Sequence, residues 1–255
     1  MHSFTKYQGT GNDFIMIDNR KGVFPKDQGD YIANLCHRRY GVGADGLILL
    51  EEDEVHDFKM VYFNSDGRES TMCGNGGRCL VAFAKQMGVI TSSTKFSAID
   101  GIHHATIQGD RVTLGMVNVA TIQQGVGYVF LDTGSPHHVE MVSNLEDYDV
   151  FEGGRQLRYD RYGVEGSNIN FVEQLDTDSF KVRTYERGVE EETLSCGTGV
   201  TAVALAMYHT HKTKATNITI LTQGGELQVQ FAVHEGRYQN ITLTGPATKV
   251  FQGTL

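Results

Sequence analysis

Cys73-Gly74-Asn75-Gly76 and Cys196-Gly197-Thr198-Gly199 are two copies of one small motif, 123 residues apart (73 to 196), and their reading decides the fold. Each follows a short polar loop and opens a run of small and apolar residues that reads as a helix. A glycine-rich entry into a helix leaves backbone N–H groups without intrahelical partners, beside the positive end of the helix dipole. Such a place binds an anion and lowers the pKa of a thiol at its lip. A single Cys-Gly-x-Gly is ordinary, because cysteine is among the most buried residue types and small residues recur where helices pack closely. Two copies, each with a cysteine at the lip, point to two thiols aimed at one anionic substrate.

The motifs belong to a longer internal repeat. Thr10-Gly11-Asn12 matches Thr133-Gly134-Ser135, again 123 residues on. Gly41-Val42 returns as Gly163-Val164 and Phe58-Lys59 as Phe180-Lys181, both at 122, and Val112-Thr113-Leu114 is echoed by Ile241-Thr242-Leu243. A series of matches in order, drifting by one residue, indicates two domains of ordinary size related by duplication. Residues 1–117 form the expected first half and 118–243 the second, with 244–255 returning to the first. A site formed between the halves receives one cysteine loop from each.

Composition narrows the class. The chain has 255 residues, enough to bury one or two cores, with 40% hydrophobic and 21% charged residues, as in globular proteins. A net charge of −9 argues against nucleic acid or an anionic membrane as the main partner. The first residues, Met1-His2-Ser3-Phe4-Thr5-Lys6, lack the apolar stretch of a signal peptide, and no apolar run is long enough to span a bilayer. Four cysteines in a chain this long are not a disulfide framework, so the expected location is a reducing cytoplasm.

Apolar or alternating patterns predict strands at Phe14–Ile17, Leu47–Leu50, Phe58–Phe63, Val126–Leu131, Ile169–Val172, Phe180–Tyr185, Ile218–Leu221, Leu227–Phe231 and Ile241–Leu243. Tyr31, Ile32, Leu35 and Cys36 fall at helical spacing, with Gly41 as terminator. The helix after the first motif has an apolar face and ends at Gly88. That after the second is apolar almost all round from Val200 to Met207, which predicts burial. The fold class that follows is α/β, of the α+β type. It has two pseudo-symmetric domains, each a mostly antiparallel, strand-rich sheet wrapped on a central helix, with the active site in the cleft between them.

Five motifs in order then carry a resemblance across nearly the whole chain. They are Gly9-Thr10-Gly11-Asn12-Asp13-Phe14, Phe63-Asn64-Ser65-Asp66-Gly67, Met72-Cys73-Gly74-Asn75-Gly76, Tyr185-Glu186-Arg187-Gly188 and Ser195-Cys196-Gly197-Thr198-Gly199. Together they resemble the diaminopimelate epimerases. The resemblance implies an isomerase without cofactor or metal, which interconverts LL- and meso-2,6-diaminopimelate in lysine and peptidoglycan precursor synthesis. Inverting a stereocentre by proton exchange needs a base on one face and an acid on the other, which explains two thiols, Cys73 and Cys196. Without pyridoxal phosphate, the carbanion relies on the site itself. The amides of Gly74, Asn75, Gly197 and Thr198 and two helix N-termini are placed to hold the adjacent carboxylate.

By the same resemblance, Asn12, Asn64, Asn168 and Arg187 grip the amino-acid groups of the substrate, Arg187 through its planar fork. Glu186 accepts from an ammonium group and neighbours the second cysteine, while His137 neighbours the first and holds its ionisation state. The family also implies a homodimer with an aromatic near the C-terminus in the contact, here Phe251. Two positions depart from the family pattern. Gly46 stands where some members carry Gln, and Ser135 where many carry Asn. Gly46 corresponds to Asn168 at the repeat offset of 122 (46 to 168), so the pseudo-symmetry is broken there.

Cys36 and Cys79 are expected in the core. No Cys-x-x-Cys pair suggests zinc. Two other classes remain open. A dithiol redox protein would need no asparagines and arginine to grip an amino acid. Proline racemases share the two cysteines, but usually carry His where Asn75 stands and bind no distal amino-acid end.

Overall fold

The computed structural model describes residues 2–255. The chain divides into two compact units, residues up to Leu114 with Gly245–Leu255, and Gly115–Thr244.

The first unit opens with a hairpin of β1 (Ser3–Gly9) and β2 (Asn12–Asp18). Its two-residue turn, Thr10-Gly11, has φ of 51° and 88°, the positive values a tight hairpin needs. Then follow α1 (Gly29–Cys36), β3 (Gly46–Glu51), β4 (Phe58–Asn64), β5 (Glu69–Ser70) and α2 (Gly74–Gln86). The strands β6 (Ser93–Ala98), β7 (Gly101–Gln108) and β8 (Arg111–Gly115) end this run.

The second unit carries β9 (Ile122–Gln124), β10 (Tyr128–Asp132), β11 (Pro136–Met141), α3 (Val150–Asp160), β12 (Asn168–Asp176), β13 (Ser179–Glu186) and β14 (Glu191–Thr193). It continues with α4 (Gly197–His209), β15 (Asn217–Thr222), β16 (Gly225–His234) and β17 (Arg237–Pro246). The last strand, β18 (Thr248–Thr254), pairs with β1.

The two units repeat one sheet plan. In the first, neighbours run β18-β1-β2-β3-β4-β6-β7, with β2/β3 and β4/β6 parallel and the other pairs antiparallel. In the second they run β9-β10-β11-β12-β13-β15-β16, with β11/β12 and β13/β15 parallel at the same places. The fold is therefore α/β of the α+β type in two pseudo-symmetric domains.

A helix lies at the centre of each sheet: α4 because its sequence leaves no polar face to expose, α2 although it carries Asn75 and Arg78, both buried. Val200 to Met207 of α4 are all buried, packed with Val172, Phe180, Ile218, Leu227 and Leu243. Each such valine, leucine or methionine contributes roughly 1.5–3 kcal/mol on burial. In the first unit α2 packs against β1, β2, β3 and β7. The small residues at the two helix starts permit this approach. A Cβ on Gly76 would stand 2.8 Å from Ile48 Cδ1, and one on Gly199 2.6 Å from Asn170 Oδ1.

Two sequence expectations are corrected. The strand expected from Val126 begins at Tyr128, because Gly127 turns the chain at φ 83° and leaves Val126 fully exposed. Helix α1 stops at Cys36, five residues before the expected terminator Gly41, as His37 adopts extended backbone. Gly88 ends α2 as expected, with φ 71°. No helix among the described residues is long and apolar enough to cross a membrane.

Candidate active site

Both cysteines are N-caps. Cys73 precedes α2 with φ −91°, ψ 131°, and Cys196 precedes α4 with φ −119°, ψ 111°; both are partly buried. Extended backbone at the cap aims the first-turn amides of Gly74 and Asn75, and of Gly197 and Thr198, past the cysteine, where they suit an anion. Their helices give each thiol the same partial positive charge.

In the first unit the hairpin turn delivers Asn12 to the cysteine. Asn12 Oδ1 accepts from Cys73 Sγ at 3.6 Å and from Asn75 Nδ2 at 3.5 Å, while Asn12 Nδ2 donates to Asp45 Oδ2 at 2.6 Å. Asp45 is tied in turn to Arg38 (2.7 Å), which also holds Asp13 (2.8 Å). Burial alone would raise the Asp13 carboxyl, but donation from Arg38 and Lys6 holds it well below the usual carboxylate range. The amide of Asn12 is thus oriented by a fixed charge network. Asn75 is buried, and Asn64 is exposed at the end of β4, where Gly67 N–H donates to its carbonyl.

Gly46 has no room for a longer residue: a Cβ there would stand 2.5 Å from the Tyr62 ring and 2.6 Å from the Phe63 carbonyl oxygen. Its counterpart Asn168 is buried and fully engaged. Its Nδ2 donates to Ser135 Oγ (2.9 Å) and to the Pro136 carbonyl (3.0 Å), and its Oδ1 accepts from the Arg187 N–H (2.9 Å). Arg187 is exposed, with Nη1 on the Glu165 carbonyl (3.0 Å) and Nη2 3.5 Å from Ser135 Oγ. Glu186, the last residue of β13, accepts from Thr193 Oγ1 at 2.8 Å. Cys196 Sγ lies 3.4 Å from Thr198 Oγ1, and Thr133 Oγ1 donates to the Thr198 carbonyl.

His137, expected beside the first cysteine, lies on β11 against the start of α4, the helix that the second cysteine caps: a Cβ on Gly199 would meet its Cε1 at 3.3 Å and Cys196 Cβ at 3.4 Å. Burial, and after it the positive Arg187, push its pKa down to about 3, so the ring is neutral. Asn170, absent from the sequence expectations, fixes its tautomer. Asn170 Nδ2 donates to the His138 carbonyl (2.8 Å) and faces His137 Nδ1 at 3.2 Å, so Nδ1 accepts and the proton sits on Nε2. That buried Nε2 has no hydrogen-bond partner among the described residues. Asn170 repeats Ile48, and His137 repeats Phe14, at the domain offset; a buried polar pair in a strand reads as a break in the apolar pattern and hides from it.

Arg78 also escapes a reading of the sequence, because an arginine in a helix ordinarily marks a solvent face. Here it is 0% exposed. Its Nη2 donates to Asn75 Oδ1 (3.0 Å) and Thr10 Oγ1 (3.1 Å), its Nε reaches the Pro246 carbonyl (3.5 Å), and its Nη1 has no partner among the described residues. Cys36 and Cys79 lie in the core, where burial pushes both thiols up to about 12, so neither serves as a base. Among the described residues, no group of three or more His, Cys, Asp and Glu side chains is placed to hold a metal ion.

A duplicated fold with a cysteine capping each central helix defines an isomerase of the amino-acid epimerase and racemase class. The chain matches the diaminopimelate epimerase family over residues 4–122 and 129–250, and it belongs to that family. It is 60% identical over 252 residues to the diaminopimelate epimerase of Flavobacterium psychrophilum, covering 98% of each chain. It is 41% identical to that of Chlorobaculum tepidum, covering 97% of this chain and 98% of the relative. Among solved structures, a PhzF-family phenazine biosynthesis protein of Bacillus anthracis shares the fold with a TM-score of 0.79 at 17% identity, over 100% of this chain and 98% of its own. A hydroxyproline epimerase of Agrobacterium vitis shares it with a TM-score of 0.71 at 15% identity, over 100% and 92%.

Proposed function

We propose that Cys73 and Cys196 exchange the α-proton of 2,6-diaminopimelate between opposite faces, one as thiolate base and the other as thiol acid. The observation that carries this reading is the pair of cysteines at the N-caps of two duplicated helices. In the forward direction a thiolate takes the α-hydrogen, the C–H electron pair passes into the carbanion beside the carboxylate, and the opposite thiol delivers a new proton. The reverse direction exchanges the roles, so both sulfurs return to one thiol and one thiolate after a forward and a reverse turnover. The amides of Gly74, Asn75, Gly197 and Thr198 stabilise the charge that grows on the carboxylate. Asn12, Asn64, Asn168 and Arg187 bind the amino-acid groups, with Glu186 on an ammonium.

His137 takes the part of a neutral Nε2–H donor, because its pKa of about 3 leaves it uncharged at working pH. Gly46 stands where some members of the family carry Gln, and here the Tyr62 ring takes that space. The enzyme acts in the cytoplasm as a homodimer whose contact includes Phe251.

The test is α-hydrogen exchange in deuterated water on LL-diaminopimelate, with proline as the control. Exchange and epimerisation of diaminopimelate alone is the expected result. Cys73→Ala and Cys196→Ala each abolish turnover, whereas Cys36→Ala leaves it largely intact. Near-normal epimerisation by either active-site variant overturns the two-base reading.

A further inference from the structure

The two cysteine loops are duplicates in backbone but not in what lies beneath them. Behind Cys196, the positions flanking Gly199 are His137 and Asn170, polar and neutral. Behind Cys73, the positions flanking Gly76 are Phe14 and Ile48, both apolar. The helix residue five after each cysteine inverts this contrast. Thr201 closes onto its own helix, donating to the Gly197 carbonyl at 2.9 Å. Arg78 instead places a guanidinium under the first loop. Thr133 and Thr10 follow suit: Thr133 Oγ1 donates to the backbone of Thr198, whereas Thr10 Oγ1 accepts from Arg78.

Arg78 pairs with no carboxylate among the described residues. Its partners are the neutral oxygens of Asn75, Thr10 and Pro246, and its Nη1 is buried without a partner among them. An arginine does not escape the cost of burial by losing its proton. A buried charge without a counter-ion costs several kcal/mol unless something nearby supplies the opposite sign. The sequence retains it all the same, in the first turns of a helix capped by a thiol: Arg78 Nη2 donates to Asn75 Oδ1, and Asn75 Nδ2 and Cys73 Sγ both donate to Asn12 Oδ1. Thr10 adds a second sign of constraint: a β-branched residue held at φ 51°, with Arg78 on its hydroxyl.

We propose that Arg78 is the buried counter-charge of a Cys73 thiolate, so that the first cysteine loop is built to carry a base. This rests on the two-cysteine reading above and deepens it. Arg78 touches no substrate; it is a positioning residue acting through the sulfur and through Asn75. The other charged and titratable groups around it leave this role to Arg78. Cys79, one residue on, is held as a thiol by burial. Arg111 on β8 is a second cation, with a buried Nη2 that has no partner among the described residues, and adds to the positive field. Asp13 on β2 is matched by Lys6 and Arg38. Tyr7 on β1 is pushed up to about 12 by burial and stays neutral. Asp100 accepts from the Met72 N–H and lies 3.3 Å from His103 Nε2. What ionisation gives up is the long contact from the Cys73 thiol to Asn12 Oδ1.

The experiment is iodoacetamide labelling of the full-length, substrate-free protein as a function of pH, with each cysteine followed separately by mass spectrometry. In the parent protein, Cys73 reacts with a midpoint about one pH unit or more below the ordinary thiol value of about 8.5, the size of shift a nearby opposite charge gives. Arg78→Met raises the Cys73 midpoint by about one unit and leaves Cys196 within about 0.3, while Arg78→Lys restores most of the shift. The acidic limb of the kcat/KM profile moves with the Cys73 midpoint. A folded Arg78→Met protein with an unmoved Cys73 midpoint overturns the proposal, and so does an equal shift at both cysteines. Should that variant not fold, the parent decides: a Cys73 midpoint at or above the ordinary thiol value of about 8.5 overturns it. Labelling needs no substrate, so failure to epimerise diaminopimelate would strike the functional reading and leave the Arg78 measurement standing.

Discussion

His137 gives the residue scale its clearest pH signature. Its folded pKa is near 3, depressed first by burial and then by Arg187, whereas an unfolded histidine titrates near its ordinary 6.5. Between these values the unfolded chain holds a proton that the folded chain refuses. Stability is therefore complete above the unfolded value and falls as the pH drops through the window, by up to about 1.4 kcal/mol per pH unit. His138, pushed down by burial against the opposing pull of Glu140, adds to the same slope. His137→Phe places the first unit's own residue at this point and removes one of the two contributions. Denaturant unfolding at about pH 7 and about pH 4.5 should show the difference between the two conditions shrink by about 1–3 kcal/mol relative to the parent. An unchanged difference means the ring is not protonation-resistant. Gly46 is a second test at this scale. A methyl there meets the Tyr62 ring and a backbone oxygen, so Gly46→Ala should lose about 1–3 kcal/mol of stability by overpacking, read from the same unfolding curves.

At the scale of elements, helix ends are local enough to be tested one at a time. Gly88 closes α2 at φ 71°, and a Cβ added there would have nothing within 4 Å, so Gly88→Ala meets backbone strain and no clash. It should cost about 1 kcal/mol and leave turnover unchanged. Asp149 caps α3 by accepting from the Glu152 N–H at 3.0 Å, and Asp149→Ala should cost about the same. The elements also show what the sequence makes legible. Strands buried on both faces, such as β3 and β12, announce themselves as apolar runs, and the glycine-led helices by the switch to small apolar residues. Helix α3 does not, because Gly153 and Gly154 sit in its middle where propensity argues against a helix; they are there because a Cβ on Gly154 would lie 2.3 Å from Tyr185. Strand β11 hides behind His137 and His138, two histidines that are wholly buried, and β7 exposes alternate polar residues with little apolar pattern. Within the candidate site the same rule holds. Cys73, Cys196 and Asn12 stand in glycine-marked motifs, whereas Arg78 and Asn170 are legible only once burial is known.

At the scale of the whole molecule, the proposed two-thiol mechanism has a redox consequence: if both thiols serve one small substrate, they are close enough to link when the site is empty. Air oxidation should then inactivate the purified enzyme, reductant should restore it, and non-reducing mass spectrometry should find a Cys73–Cys196 link. Inactivation of otherwise intact protein without that link contradicts the shared site. Assembly gives the final test. Phe251 on β18 stands opposite Lys6 of β1 and meets the Phe4 ring edge-on at 5.9 Å, so one side of it is packed within its own unit. It remains 45% exposed, next to Val250 at 54%, an apolar pair on a strand near the chain end. Neighbouring exposed apolar side chains mark surfaces that other chains cover. If that cover is a second copy, Phe251→Ala removes a large apolar contact from each side of a two-fold interface while β18 keeps its backbone pairing with β1. The variant should sediment as a monomer at micromolar concentration where the parent sediments as a dimer, with an unfolding midpoint that becomes independent of protein concentration. A parent that is already monomeric, or a variant whose dimer is unchanged, removes Phe251 from the interface and leaves its contact with Phe4 as the reason for its place.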